Sequence, residues 1–390
     1  MKRRNKVIVV MSVLVCVFAV GVGALALTAA DRIRAKFKRV QAAVTILGRK
    51  QIALNGVVQQ ITEFKKTLDK GDAVNAEKLL DQILARKEVV SIAAEISREP
   101  AASNRFNPPI QASDEPIDNT FSVPRPTEIQ GYSDHMMEPC ITLDGKYLMF
   151  NNSNEPGAKT HIHLCQRLDT NIFKYIGELP GTVSDSKDMA PSVDNAGNLY
   201  YTCLKSYDRD LKSLYVGKLK DESVTGVQEV PGDISPKVQT WINMDCCISA
   251  DGKTLVVSRA RFDFGSIHPA ESALQMFVKG ENGFALDPQS ISVLKAVNSP
   301  ALEYAPSLSA DQLELYFTRA QRDLEGRLLM RILVSKRDKV SSPFGPPSVL
   351  GVIQGFVEAP TLPALNHELF FHKRDAEDGK FKIYRCERTR

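Results

Sequence analysis

The chain has 390 residues, with 50 basic and 46 acidic side chains and a formal net charge of +4. The basic excess lies in residues 1–98, which hold 18 Lys and Arg against 8 Asp and Glu, leaving 32 and 38 for the remainder. A mildly acidic C-terminal part without a basic and aromatic platform argues against nucleic acid binding. Seven cysteines without a framework spacing argue against a disulfide-stabilised scaffold.

The N-terminal segment Val7–Ala30 contains 24 residues without a charge and follows four basic residues. That length spans a bilayer, so the segment is an uncleaved anchor or a long signal peptide, and we predict a membrane anchor over residues 1–30. A short basic N-terminal tail favours a cytoplasmic N-terminus, although five basic residues also follow the span. The rest of the chain is then expected on the outer side of that membrane.

A helical stalk or hairpin is predicted over residues 31–98. Apolar residues recur with heptad spacing over residues 33–68, and a second apolar stripe lies over residues 79–96. Between them, Gly71 is suited to end one helix and Asp72 to cap the next. Either the two helices fold back on each other or the first pairs with a second copy of the chain. The hairpin is preferred because it covers the second apolar stripe.

A proline-rich linker is predicted over residues 99–120, followed by a repeat region. One phrase returns five times there, and its turn positions are Gly145, Gly197, Gly252, Gln312 and Asn366. Spacings of just over fifty residues are typical of four-stranded propeller blades. Glycine and asparagine readily adopt the positive φ of a tight hairpin, whereas Gln312 does so poorly and predicts a distorted fourth hairpin.

An apolar run follows each turn, at residues 148–150, 200–202, 255–257, 315–317 and 369–371. Such runs indicate strands that are covered on both faces, as in blades packed face to face. The fifth unit ends too early to supply a fourth strand, and Phe121–Gly131 resembles the missing piece. The predicted fold is therefore mainly β, a five-bladed β-propeller over residues 121–390 closed by an N-terminal strand, which leaves no open sheet edge.

The phrase Pro306-Ser-Leu-Ser-Ala-Asp, its preceding acid and the run Leu315-Tyr-Phe resemble the WD-repeat-like β-propeller repeats of TolB and of many bacterial envelope proteins. The resemblance covers residues 121–390, although TolB-like propellers usually have six blades. It implies a binding or scaffolding role at a bacterial plasma membrane, with the propeller on the periplasmic or outer side. Family membership of this kind says little about the ligand.

An acid stands one to three residues ahead of each inner strand, and the five acids are Glu138, Asp188, Asp245, Glu303 and Glu358. They are candidates for holding a polar or cationic ligand at one mouth of the central channel. The alternative is a structural role within each repeat. Another alternative is a glycoside hydrolase, which requires paired carboxylates at a fixed separation. Two or three carboxylates that converge beside a pocket would favour the hydrolase.

Two histidine pairs and one cysteine pair are weaker candidates for a functional site. His367 and His372 are five residues apart, so they do not match a zinc protease motif, and His161 with His163 lacks an identifiable third metal ligand. A strand edge facing solvent is expected for the second pair. Adjacent cysteines at 246 and 247 are expected to be buried in an inner strand.

The longest variable segment, residues 259–274, contains Phe262, Phe264 and His268 and is a candidate contact loop. The predicted function is a membrane-tethered, non-catalytic module that engages an envelope protein or a polysaccharide through one propeller face. The prediction includes no cofactor, no metal and no nucleic acid, and it leaves open a homo-oligomer formed through the stalk.

Overall fold

The computed structural model describes residues 33, 36, 37, 40, 55–86, 115–154, 158–182, 185–263, 268–322 and 328–389. The predicted anchor over residues 1–30 lies outside these residues. Within the described ranges, no helix combines the length and apolar character that crossing a membrane requires. The chain separates into a helical unit and a β unit, which are described in turn.

The helical unit contains α1 (Asn55–Asp69) and α2 (Ala73–Leu84), which pack against each other. Their shared core contains Phe64 and Leu80 and extends to Phe37, whose ring stacks on Phe64 at 5.3 Å. A glycine with φ 78° separates the helices, and the Asp72 side chain accepts the Asn75 N–H at 3.1 Å. The predicted helix stop and N-cap are confirmed.

The β unit is a five-bladed propeller in which each inner strand lines a central channel. Blade 1 comprises β4 (Met137–Ile141), β5 (Tyr147–Asn151), β6 (Ile162–Asp169) and β7 (Ile172–Glu178). Blade 2 comprises β8 (Asp188–Val193), β9 (Asn198–Cys203), β10 (Leu214–Lys220) and β11 (Ser223–Glu229), with the short helix α3 (Tyr207–Asp210). Blade 3 comprises β12 (Trp241–Ile248), β13 (Thr254–Phe262), β14 (Pro269–Gly280) and β15 (Gly283–Leu286), followed by α4 (Ser290–Val293).

Blade 4 comprises β16 (Leu302–Leu308), β17 (Glu314–Arg322), β18 (Leu328–Lys336) and β19 (Ser348–Leu350), and blade 5 comprises β20 (Val357–Thr361), β21 (Glu368–Arg374) and β22 (Phe381–Glu387). Three short N-terminal strands complete the unit: β1 (Ile117–Asp118), β2 (Arg125–Pro126) and β3 (Glu128–Gln130). Within each blade, consecutive strands pair antiparallel from the channel outward.

The five inner hairpins close in the same way. The turn residues have φ between 55° and 79°, and each amide donates to the carbonyl three residues earlier at 2.8–3.0 Å. Gln312 adopts φ 60° with its N–H 2.8 Å from the Ser309 carbonyl. The predicted distortion of the fourth hairpin is therefore wrong. The flanking strand pairing imposes the left-handed conformation on a residue that disfavours it by only about 1–2 kcal/mol.

The apolar second strands are covered on both faces, as the sequence indicates. In β5, Met149 packs into the apolar cluster shared by blades 1 and 2, whereas Leu148 and Phe150 pack into the cluster shared by blades 5 and 1. Clusters of the same kind lie between the other neighbouring blades. The hydrophobic core of the propeller is therefore divided among the interfaces between blades, and these clusters hold the ring together.

The N-terminal strands connect three blades. Strand β2 pairs antiparallel with β22 and supplies the fourth strand of blade 5, as expected from the early end of the fifth repeat. Two pairings lie outside that expectation: β1 adds to blade 4 beside β19, and β3 adds to blade 1 beside β7, both parallel. Ordered pairing thus begins at residue 117, inside the segment predicted as a linker.

Phe121→Ala is expected to lower the free energy of unfolding of the propeller by about 3 kcal/mol. Phe121 is 3% exposed, lies 6.2 Å from the Tyr316 ring and is covered by Arg388. Chemical denaturation followed by tryptophan fluorescence measures the loss. Val123→Ala is the matched control in the same segment, because Val123 is 74% exposed and its loss is expected to stay within about 0.5 kcal/mol.

Candidate functional site

Each inner strand contains a β-bulge near its start. The strand register shifts there in all five inner hairpins. The residue at the bulge is Glu138 in blade 1, with φ 50°, and an alanine with φ 48–56° in blades 2, 4 and 5. Because three alanines share the strained conformation, the bulge belongs to the fold rather than to one site. Only the side chain carried there differs between blades.

The five predicted acids do not occupy one repeat position. Glu138 and Asp245 stand seven residues before their turn residues, Glu358 stands eight before, and Asp188 and Glu303 stand nine before. The structure brings together the three acids that stand seven or eight residues before the turn and separates the two that stand nine before it.

Asp188 and Glu303 are fully buried within their own blades. Glu303 accepts hydrogen bonds from the Arg319 side chain at 2.7 Å and from the Ser299 hydroxyl at 2.5 Å. Asp188 begins β8, and its charge raises the pKa of the buried Tyr201 phenol, where burial itself is the larger cause. We call the end of the propeller at which the inner strands begin the channel mouth. Asp188 and Glu303 lie toward this end but inside their own blades, and they do not belong to the carboxylate cluster of Glu138, Asp245 and Glu358.

Glu138 has one satisfied and one unsatisfied carboxylate oxygen. Its Oε1 accepts the Asn154 side-chain N–H at 2.7 Å, whereas its buried Oε2 has no hydrogen-bond partner in the part of the chain that the structure describes. Burial raises the pKa of Glu138 to about 8, with further contributions from the charges of Asp245 and Glu358 and against hydrogen bonds from Asn154 and the Ala190 backbone, which lower it. Burial therefore favours the protonated form of Glu138, with its hydrogen on Oε2.

Both oxygens of Glu358 are hydrogen-bonded. The Tyr304 hydroxyl donates to Oε1, and Oε2 lies 2.9 Å from Nε2 of His372. Nδ1 of the same imidazole lies 2.9 Å from the backbone N of Glu138, which can only donate. Nδ1 is thus the acceptor, and the Nε2–H donates to Glu358. Glu358 therefore accepts one hydrogen bond at each carboxylate oxygen.

Asp245 contributes a third carboxylate from blade 3. Its Oδ2 accepts the Ala305 N–H at 3.1 Å, and the side chain also accepts a hydrogen bond from Ser258. Burial raises the pKa of Asp245 to about 6, which leaves the group ionised at neutral pH. Its negative charge is the largest charge effect that keeps Glu138 protonated.

A ring of hydrogen bonds links each blade to the next at the channel mouth, and we call it the interblade ring. Its links are Asn151 with Ala190, Thr202 with Met244, Ser258 with Ala305, Thr318 with Ala359 and His372 with Glu138, at 2.8–3.2 Å. Sequence analysis named Glu138 and His372 but did not identify the ring or its other members. The feature of the sequence that could have identified the ring is a polar side chain five or six positions after each turn residue.

The channel itself is narrow. A cavity of about 40 Å³ is lined by inner-strand residues of all five blades, including Glu138, Asp245, Cys247 and Ser307. A cavity measured in this way holds a water molecule once about 10–15 Å³ is open, so this one has room for a few water molecules.

The loops between the second and third strands border the mouth. Asn154, which contacts Glu138, lies in the loop of blade 1. The candidate contact loop of blade 3 lies at the same end of its blade, since Trp241 at the start of β12 pairs with Arg261 near the end of β13. Phe262 is half-buried and His268 is exposed, whereas Phe264 lies outside the described residues.

The remaining motifs are placed as follows. His161 and His163 are buried, so the expected solvent-facing edge is wrong: His163 stacks on Phe150 at 5.3 Å and bonds to the Tyr175 hydroxyl at 2.9 Å. His367 immediately precedes β21, and His372 lies within it.

The adjacent cysteines are buried as expected, and the Cys247 sulfur accepts the Leu308 N–H at 3.2 Å. Across the described ranges, no group of three or more His, Cys, Asp or Glu side chains is arranged to hold a metal ion.

Comparison with known proteins gives matches in structure but not in sequence. No protein-family model matches the chain, and no curated protein matches it. Solved structures that match include a family 117 glycoside hydrolase of the marine bacterium Zobellia galactanivorans, at a TM-score of 0.45 and 14% identity over 69% of this chain and 91% of that chain. The catalytic domain of the Coprinopsis cinerea GH62 α-L-arabinofuranosidase matches at a TM-score of 0.42 and 11% identity over 70% and 98%. The Cellvibrio cellulosa α-L-arabinanase matches at 0.41 and 16% over 65% and 92%.

Two predictions require correction. The solved structures named above are glycoside hydrolases, which contradicts the predicted non-catalytic binding module, so that prediction is wrong. The resemblance to WD-repeat-like and TolB-type proteins is supported only as far as the propeller fold. In addition, Glu138, Asp245 and Glu358 converge at the channel mouth, which is the arrangement that favours the hydrolase alternative.

Proposed function

We propose that this chain is a glycoside hydrolase in which Glu138 is the general acid and Glu358 is the second catalytic carboxylate. The observation that carries the proposal is the pairing of an unpartnered Glu138 Oε2 with a Glu358 carboxylate whose two oxygens both accept hydrogen bonds. Glycoside hydrolysis requires one carboxyl group that donates a proton and one that stays ionised. The environments of these two groups separate those roles.

Glu138 is suited to protonate the leaving oxygen of a glycosidic bond. Its Oε2 makes no hydrogen bond to the described residues, so its proton is available to a substrate oxygen. The Asn154 amide fixes the other oxygen and orients the carboxyl group. When the glycosidic bond breaks, the proton of Glu138 passes to the departing sugar hydroxyl, and Glu138 becomes the carboxylate that receives a proton from water.

Glu358 is suited to stabilise the positive charge that develops at the anomeric carbon. It acts either by direct attack on that carbon or by activating a water molecule, and the anomeric configuration of the product distinguishes the two. Tyr304 and His372 orient it, while Asp245 raises the pKa of Glu138 through its negative charge. The site thus contains three carboxylates with three different roles.

The substrate is expected to bind above the channel mouth, because the channel has room only for water. A polysaccharide end or branch fits this arrangement, since it presents one glycosidic bond to the carboxylates while the remaining sugars lie across the loops. The half-buried side chains of Trp241 and Phe262 lie at the start of β12 and the end of β13, which places them at the mouth side of blade 3. Aromatic side chains of this kind supply apolar surface for a sugar ring.

Turnover is expected on at least one substrate in a panel of arabinofuranosides, arabinans, galactans and related plant and algal polysaccharides. The purified full-length chain is incubated with each substrate, and released reducing sugar is measured. Glu358→Gln is expected to lower kcat by about 10²-fold or more, because the amide cannot stabilise the developing positive charge. Glu387→Gln, an exposed residue remote from the mouth, is the matched control and should retain the wild-type rate. Wild-type turnover that persists in Glu358→Gln would contradict the proposal.

A further inference from the structure

We infer that His372 is a positioning residue that couples ring closure to the geometry of the two carboxylates. One imidazole nitrogen holds the backbone of Glu138, and the other holds the side chain of Glu358. The kinetic consequence of this inference rests on the proposed function, whereas its structural content does not. Among the described residues of the interblade ring, His372 contacts both Glu138 and Glu358, whereas Ser258 bonds to Ala305 and to the Asp245 carboxylate of its own blade.

The two hydrogen bonds of His372 define its protonation state. A backbone N–H donates and cannot accept, so the 2.9 Å contact from Glu138 N requires a lone pair on Nδ1. The imidazole is then neutral and carries its hydrogen on Nε2, 2.9 Å from Oε2 of Glu358. The contact with Glu358 is therefore a hydrogen bond from a neutral donor and not an ion pair.

Burial holds the imidazole in this orientation. His372 is 1% exposed, and the Phe381 ring packs edge-on against it at 5.3 Å. Rotating the ring would place Nδ1–H or a carbon against the Glu138 amide and leave that buried donor without a partner. An unsatisfied buried N–H costs about 1–3 kcal/mol, which favours the observed orientation.

The other blades show that a short side chain is sufficient to close the ring. Thr318 accepts the bulge amide of the following blade, as do Asn151 and Ser258, which also bond to Asn154 and Asp245 respectively. The same task at the last closure, between blades 5 and 1, is performed by a larger side chain that extends to Glu358. A residue that only closed the ring would not need the second nitrogen. The additional reach of the imidazole therefore indicates a role in orienting Glu358.

Two substitutions separate the two nitrogens. In His372→Asn the amide oxygen replaces Nδ1, so the bond from Glu138 is kept and the donor to Glu358 is lost. In His372→Gln the longer side chain places an amide N–H near the position of Nε2, so the donor is kept and the acceptor is lost. We expect His372→Asn to keep Tm within about 2 °C and to lower kcat about 10- to 100-fold, with KM changed less than about threefold.

His372→Gln is expected to show the opposite pattern, with Tm lowered by about 4 °C or more and a smaller loss of kcat than in His372→Asn. Thr202→Val is the matched control, because it removes the ring bond from Thr202 to Met244 without touching Glu138 or Glu358. It should lower Tm and leave kcat unchanged. Wild-type kcat in His372→Asn, or parallel losses of Tm and kcat in both histidine variants, would overturn the inference.

A measurement without substrate tests the geometry itself. The imidazole ¹⁵N spectrum of His372 at neutral pH, assigned with His372→Asn, is expected to show the Nε2–H tautomer, with its signal shifted in Glu358→Gln. An Nδ1–H tautomer or a charged ring would overturn the positioning role even in an active enzyme. The expected tautomer in a chain that hydrolyses no substrate would instead refute the proposed function and leave the positioning of both carboxylates supported.

Discussion

Glu138→Gln is expected to lower kcat on a polysaccharide substrate by about 10²- to 10⁴-fold, because glutamine cannot donate a proton to the leaving oxygen. The substitution keeps the size of the side chain and the bond from Asn154, so binding should change little. Kinetics on two substrate types provide the decisive comparison. Aryl glycosides with an acidic leaving phenol need little protonation, so their hydrolysis should be impaired much less than that of the polysaccharide.

The pH dependence of the same reaction follows from the raised pKa of Glu138. A general acid acts in its protonated form, so the wild-type rate should fall as pH rises through about 8. That alkaline decrease is expected to be absent from the residual activity of Glu138→Gln. Equal loss on both substrate types, or an alkaline decrease that survives the substitution, would contradict the assignment of Glu138 as the acid.

Glu138 also makes the free energy of unfolding depend on pH in a defined direction. Its pKa is raised from an ordinary value of 4.5 to about 8, so between these values the folded state retains a proton that the unfolded state has released. The contribution of Glu138 to the free energy of unfolding therefore falls as pH rises from about 4.5 to about 8 and is constant above that range. Denaturation at several pH values should show that the free energy of unfolding decreases less with rising pH in Glu138→Gln than in the wild type.

Glu368→Ala is expected to lower the free energy of unfolding by about 4 kcal/mol, because it leaves two arginines of a buried cluster without their anion. Glu368 is 1% exposed. Arg167 of blade 1 binds both its oxygens, at 2.6 and 2.8 Å, and Arg385 of blade 5 also donates to it. This cluster joins the first and last blades at the end of the propeller opposite the channel mouth.

Chemical denaturation measures the effect, with Glu387→Ala as the matched control. Glu387 bonds to the same Arg385 at 2.8 Å but is 58% exposed in its side chain, so its removal should cost less than about 1 kcal/mol. A loss below about 1 kcal/mol in Glu368→Ala would show that the buried cluster does not stabilise ring closure.

The cluster also has a predicted pH dependence. Burial alone would raise the pKa of Glu368, but hydrogen bonds from Arg167 and Arg385 outweigh it and lower the pKa below 4.5. A lowered folded-state pKa contributes stability that is present above about 4.5 and is lost as pH falls through the folded-state value. Acid unfolding of Glu368→Ala should therefore be less steep than that of the wild type. The pH dependence of stability that Glu368 contributes is therefore opposite in direction to the one that Glu138 contributes.

The repeat made the propeller predictable from sequence. Its turn residues, apolar second strands and incomplete fifth copy indicated five blades and an N-terminal strand in the last one, and β2 lies there. These features depend on contacts between neighbours in sequence or on burial at a fixed period, which a single chain displays directly. The distorted turn at Gln312 was wrong because strand pairing overrides the preference of one residue.

The candidate site was only partly predictable. The sequence identified five acids but treated them as one repeat feature, although they occupy three positions relative to the turn. Tertiary structure decided that Glu138, Asp245 and Glu358 share the channel mouth, while Glu303 pairs with Arg319 inside its blade. The tertiary structure also places His372 in the interblade ring and in contact with Glu358.

The sequence by itself determined the number of blades, their hairpins and the residues that pack between them, because each depends on a pattern within about fifty residues. The roles of the acids depended on which side chains from distant blades meet and on how far each is buried. Burial and neighbouring charges set whether a carboxyl group keeps its proton, and both arise only when the ring closes. The chemistry at the channel mouth is therefore a property of the folded ring rather than of any single repeat.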